Sequence, residues 1–261
     1  MLDIRLNPGV PGARRLCLRS MEGRDELNLD PHGPGGFCDF VAGLAVKAEA
    51  GYLPPDRLRE LAVCDLEVIA ATLLCAYYGE HVESSVKCER CGRDFDVSFA
   101  LGAFLHELEH VRKSNSNSAG RGPDANGVFT LEDGRRFRLP TGTDEMAVAD
   151  LDFTEAAREL RTRCVIDGDF ETHPDTLDAA MEASGPLLSQ DLPANCPHCR
   201  ASQTKRFEVR QFFLEALASE RRFLNWEIHY LARSYGWSRA EILGMTRDDR
   251  RLHVGLVLPG A

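Results

Sequence analysis

Two cysteine pairs constrain this chain more than any other feature: Cys88-Glu-Arg-Cys91 and Cys196-Pro-His-Cys199. Each C-x-x-C lies between short apolar, β-prone runs. Val86 precedes the first and Phe95-Asp-Val-Ser-Phe99 follows it. Leu187 and Leu188 precede the second, and Phe207-Glu-Val209 follows it. This is the form of a zinc knuckle, a tight turn that offers two thiolates at the tip of a hairpin. Two facing knuckles supply a closed tetrahedral site, so Cys88, Cys91, Cys196 and Cys199 are expected to hold one structural Zn2+. About a hundred residues separate the pairs, so the expected unit is one zinc ribbon split by a long insertion. Closing so long a loop costs roughly 4 kcal/mol. A structural zinc contributes on the order of 10–16 kcal/mol in small peptides at neutral pH, so the metal outweighs the loop. A thioredoxin-type redox pair fits poorly, because neither C-x-x-C opens a helix within a β-α-β pattern.

The remaining cysteines are Cys17, Cys38, Cys64, Cys75 and Cys164. An odd remainder argues against a disulfide framework and for a reducing, cytoplasmic setting. The start, Met1-Leu-Asp-Ile-Arg-Leu, lacks the apolar run of a secretory signal, and no stretch approaches the length of a membrane span. A net charge of -10 on 261 residues does not suit a chain that grips a nucleic-acid backbone as a whole.

In chain order, Arg15–Ser20 reads as a strand and 31–36 as a Pro/Gly loop. That loop lacks the Lys-Ser/Thr ending of a phosphate loop. A short helix is expected over 37–50. A strong helix is expected from about Asp56 to Tyr78, where Leu61, Cys64, Val68, Ala71, Cys75 and Tyr78 share one face. Residues 100–112 read as a helix with Leu101, Phe104, Leu105, Leu108 and Val111 inward, and 113–127 as a mobile Ser/Asn/Gly-rich loop. Asp133-Gly134, flanked by alternating residues, predicts a hairpin with a type I′ turn. Helices follow near 144–150, 154–165 and 175–184. A long helix spans about Arg210 to Ser234 and ends at Gly236.

Beyond it, Ser238 and Glu241 form a capping box, with Trp237 placed to staple onto Ile242. Thr246 and Asp249 repeat the capping pattern. Tyr235 and Trp237 are either interface anchors or core. Arg247, Arg250 and Arg251 form a basic cluster expected to be exposed and able to pair with acidic groups on a neighbour. His229, on a helix between Ile228 and Leu231, reads as a packed or capping histidine.

His106-Glu-Leu-Glu-His110 matches H-E-x-x-H, the metalloprotease pattern in which the histidines bind catalytic zinc and Glu107 is the general base. Against it, His106 and His110 point roughly 160–200° around the helix from Phe104 and Leu108, toward solvent. Glu109 puts a charge where such helices normally carry none, and no third ligand follows at short spacing, although Glu155 or Glu159 could supply one from a distance. A solvated helix face is the expectation, with a zinc metallohydrolase as the rival.

The stretch from Trp226 to Leu243, followed by Arg250-Arg251, resembles the C-terminus of baseplate proteins of T-even-like phages and related contractile injection systems. The matching residues are His229, Leu231-Ala232, Tyr235, Trp237, Glu241-Ile-Leu243 and Arg250-Arg251. Leu18-Arg19, Gly23-Arg-Asp-Glu26, Tyr78-Gly79, the two cysteine pairs and Arg138-Leu-Pro-Thr141 resemble the longer members of that family. His253-Val254 departs from it, standing where an aromatic residue is usual. The resemblance implies a structural or assembly component of a baseplate, without catalysis, whose partners are other baseplate or tail proteins rather than nucleic acid or membrane. A stand-alone zinc-ribbon adaptor is the third reading. The expected fold is α+β and predominantly helical. It divides into an N-terminal β-rich segment (1–36), helices with the first knuckle (37–104), an insertion (105–190), and the second knuckle with a C-terminal helical module (191–261).

Overall fold

The computed structural model describes residues 1–31, 36–46, 50–108, 122–169, 171 and 173–258. Among the described residues the chain is mixed α/β, nearly half helical, with four small sheets. β1 (Leu2–Val10) pairs antiparallel with β2 (Ala13–Leu18), and β3 (Gly51–Tyr52) adds in parallel to β2. Ile4, Leu6 and Val10 alternate inward along β1, as a half-buried strand requires. α1 (Gly23–Asn28) and α2 (Gly36–Leu44) follow, then a 3-10 helix (Pro55–Glu60).

The centre of the molecule is α3 (Val63–Tyr78). The helix expected from Asp56 is broken. Leu61 and Ala62 are extended, and Ala62 bridges Thr141, so the chain turns a corner before α3 starts. α3 is buried on nearly every side, including two carboxylates, Asp65 and Glu67. Buried carboxylates need partners, and both find main chain. Asp65 accepts from the amides of Asn7 and Gly9 at 2.7 and 2.8 Å. Glu67 accepts from those of Leu188 and Ser189 at 2.6 and 3.0 Å. One helix thereby fixes the irregular end of β1 and the chain leading into the second C-x-x-C hairpin.

α3 ends at Gly79 (φ +88°) and hands over to β4 (His81–Lys87), which pairs with β5 (Asp94–Ala100). Residues 101–108 form α4. His106 and Glu107 are exposed on it and Leu108 is buried, whereas His110, Glu109 and the segment expected to be a mobile loop fall largely outside the described residues. β6 (Val128–Thr130), β7 (Arg136–Arg138) and β8 (Val165–Asp167) make a second three-stranded sheet, followed or interleaved by α5 (Gly142–Val148), α6 (Phe153–Cys164) and α7 (Pro174–Ser184). The β6–β7 hairpin forms as expected but not with a type I′ turn. Only Gly134 has positive φ (+90°), and Leu131 N–H bonds Arg135 O. That is the glycine-bulge solution, which needs one left-handed residue instead of two. Phe129 and Phe137 stack over a small core with Leu139 and Leu177.

β9 (Gln190–Asn195) and β10 (Ser202–Phe207) form the second cysteine hairpin. α8 (Val209–Tyr235), α9 (Arg239–Leu243) and α10 (Arg247–Val257) complete the chain. Both C-terminal caps form as expected. The Glu241 amide donates to Ser238 Oγ, and that of Asp249 donates to Thr246 Oγ1. Phe213, Leu214 and Leu217 of α8 enter the principal core beside α3 and β1. Among the described residues, no helix is long and apolar enough to cross a membrane.

Candidate metal centre

The two C-x-x-C turns meet tip to tip. Cys88 Sγ lies 3.6 Å from Cys199 Sγ, Cys91 Sγ lies 3.7 Å from Cys196 Sγ, and all four sulfurs fall within 4.8 Å of one another. A tetrahedral ion with metal–sulfur bonds near 2.3 Å sets its ligands about 3.8 Å apart. A disulfide would need sulfurs about 2.05 Å apart, and all nine cysteines are free. The four cysteines could therefore hold one metal ion.

The same local geometry builds both halves. In the first turn Cys88 N–H bonds Arg93 O and Gly92 N–H bonds Cys88 O. In the second, Cys196 N–H bonds Ala201 O and Arg200 N–H bonds Cys196 O. The residue after each pair is left-handed: Gly92 at φ +71° and Arg200 at φ +58°. Glycine takes that conformation freely, whereas arginine is held there against its preference. Backbone amides of Cys91 and Arg90 aimed at Cys88 Sγ draw that thiol down to about 6. Cys199 also receives an amide, from Ala201, but burial and its sulfur neighbours push it up to about 11. A cation at the centre of the four sulfurs would favour thiolate ligands.

Contacts beyond the sulfurs hold the hairpins together. Glu89 N–H donates to Gln203 Oε1 at 3.0 Å, Lys205 pairs with Glu89 at 2.7 Å, and Phe95 and Ala194 pack under Cys88 and Cys196. Behind them Phe99 meets Phe207 edge-on at 4.6 Å, and Phe207 meets Phe212 of α8. α3 sets both halves: its C-terminus feeds β4, and Glu67 holds the approach to β9. That role of Glu67 was missed in the sequence, where the signal was two acids inside an apolar helix without a cation one turn away.

The C-terminal arginines require a correction. Arg247 and Arg250 are not an exposed patch; they are 2% and 1% exposed. Arg247 bonds Glu26 and Glu220 at 2.7 Å each and lies over the Tyr78 ring at 5.4 Å. Arg250 bonds Glu26, donates to Met245 O at 3.0 Å and pairs with Glu227 at 2.9 Å. The cluster forms because α10 lays its charged side on α1 and α8, where acids wait; periodicity in arginine does not distinguish this from a solvated face. Gly23 makes room: a Cβ there would come within 2.9 Å of Arg250. Only Arg251 stays half exposed, 3.3 Å from Glu220. Tyr235 stacks on Trp237 at 4.5 Å, with His253 edge-on to both, and His229 is exposed beside Tyr230.

Comparison with family models, curated proteins and solved structures returns no match for this chain.

Proposed function

We propose that this chain is a structural or assembly component of a phage-like contractile tail baseplate, stabilised by one structural zinc on Cys88, Cys91, Cys196 and Cys199. In this reading the two hairpins are the halves of one zinc ribbon, and residues 101–189 are an insertion within it. Zinc is favoured by the ligand set: four thiolates at tetrahedral spacing suit that ion without a free position for catalysis. The observation that carries the baseplate reading is where its residues meet. Gly23 and Glu26 near one end, and Arg250 near the other, carry the resemblance at far-apart places in sequence, and they pack into one buried joint. A resemblance that spans the chain is supported when its residues meet in the fold.

The protein acts through surfaces, and the metal keeps those surfaces in place. His106 and Glu107 belong to a solvated helix face. Co-expression with the proteins encoded beside it, followed by purification and mass spectrometry, tests the reading. A stoichiometric complex with tail or baseplate proteins supports it. Zinc-dependent hydrolysis of a peptide or ester that vanishes in Glu107→Gln, with a second zinc surviving loss of all four cysteines, would replace it with the metallohydrolase.

A further inference from the structure

Among the exposed large apolar side chains, which include Leu252 and Leu256 of α10, two groups stand out by the charges around them. One is the corner between α5 and α6, where Met146, Leu151 and Phe153 are 43%, 40% and 89% exposed. The other is the outer face of α8, where Phe223 and Trp226 are 48% and 59% exposed and Trp226 stacks on Tyr230. Patches of this kind on a soluble chain mark contact surfaces.

Their charges are opposite. Residues 142–184 carry twelve acidic and three basic side chains, with Asp150 exposed at the corner itself. On α8 the aromatic face is flanked by Arg222 and Arg233, both exposed, and Arg222 lies over the Phe223 ring at 4.8 Å. The only acid from 221 to 240, Glu227, is consumed by Arg250. An acidic apolar knob and a basic aromatic face are complementary in both hydrophobic and electrostatic terms.

One chain cannot join its own two surfaces. Arg210, at the start of α8, pairs with Glu145 beside the acidic corner at 2.6 Å. Phe223 to Arg233 lie thirteen to twenty-three residues further along the same helix, roughly 20–35 Å away at 1.5 Å per residue.

We propose that the two surfaces are the halves of one head-to-tail contact between copies of this chain. The corner of Met146, Asp150, Leu151 and Phe153 of one copy seats on the face of Arg222, Trp226, Tyr230 and Arg233 of the next. Such a contact uses two different patches, so it builds a ring when its rotation closes and a filament when it does not. The inference is independent of the baseplate reading.

Sedimentation of the full zinc-loaded chain over roughly 5–200 µM, the range in which modest interfaces saturate, provides the test. The wild type should grow beyond a dimer, less so at high salt. Asp150→Lys with Phe153→Ser removes the knob, and Arg222→Glu with Trp226→Ser removes the face; each pair should weaken association at least tenfold. Mixed in equal amounts, the two variants should form a 1:1 dimer and stop there, because each supplies the surface that the other lacks. Zinc content and circular dichroism check their folding, and the single variants Asp150→Lys and Arg222→Glu carry the same test with smaller amplitude. A wild type that stays monomeric, variants that associate like wild type, or a mixture no larger than its parts would overturn the proposal.

Discussion

The molecule has two clasps built on opposite principles. The cysteine clasp joins turns 105 and 111 residues apart, and the arginine clasp joins α10 to α1 across 221 and 224 residues. Both bury polar groups, and both fix the relative position of segments that local structure cannot connect. The cysteine clasp presents four sulfurs that could hold one metal ion. The arginine clasp brings its own cations, held between Glu26, Glu220 and Glu227. A clasp of the first kind depends on what the surroundings supply. One of the second kind depends only on the chain, and it fails when one member changes sign.

The sharpest way to break this contrast is Arg250→Glu. It places a third carboxylate against Glu26 and Glu227 at a buried position. The expected loss is on the order of 5 kcal/mol, measured by urea unfolding, with much of the protein insoluble. Next is Cys196→Ser. Metal content should fall from one ion per chain toward none. Stability should fall with it, because the metal's contribution, which exceeds the roughly 4 kcal/mol cost of closing a loop of about a hundred residues, is lost. A chelator should reproduce that loss in the wild type and add nothing to the variant. Unchanged metal content in Cys196→Ser would remove the single-site description.

A pair of intermediate character calibrates the two. Burial raises the Asp144 carboxyl, but hydrogen bonds from Arg138 and from Thr141 outweigh it and hold the group at about 2, below its ordinary 3.8. A carboxylate depressed in the folded state stabilises the fold above its unfolded value and loses that contribution as pH falls. Wild-type stability should therefore drop by about 1–2 kcal/mol between roughly pH 5 and 2, beyond the drop seen in Asp144→Asn. The smallest effect is expected from Arg251→Glu, under about 1 kcal/mol by thermal unfolding, because that side chain is half exposed. Adjacent arginines that differ this widely would localise the second clasp to Arg250. Equal effects would erase the distinction.

How legible each clasp is in the sequence follows from its chemistry. Candidate metal ligands come as close pairs, because one turn must present two sulfurs, so Cys88, Cys91, Cys196 and Cys199 stand out at fixed spacing. Caps are local for the same reason, and Ser238 with Glu241 forms as its spacing implies. Ion pairs across elements carry no spacing. Glu26 and Arg250 look like any surface charges until α1 and α10 are seen to meet, so the arginines read as solvated. The break at Leu61-Ala62 was equally hidden. Nothing in its local propensity opposes a helix, and the extended backbone is set by pairing with Thr141, some eighty residues away. The turn at Asp133-Gly134 was right in place and wrong in type, because one left-handed glycine sufficed.

The distance between the two C-x-x-C turns has a consequence for the order of synthesis. At roughly 5–20 residues per second, Cys91 leaves the ribosome about 5–20 seconds before Cys196, given the 105 residues between them. During that interval the first hairpin offers two thiols and no complete site. Under the proposed metal reading, the ion can be locked in only after the second C-x-x-C has been made. Glu26 waits longer still for Arg250, 224 residues downstream. Both clasps therefore close late, and a ribosome that stalls within the insertion leaves each of them half built.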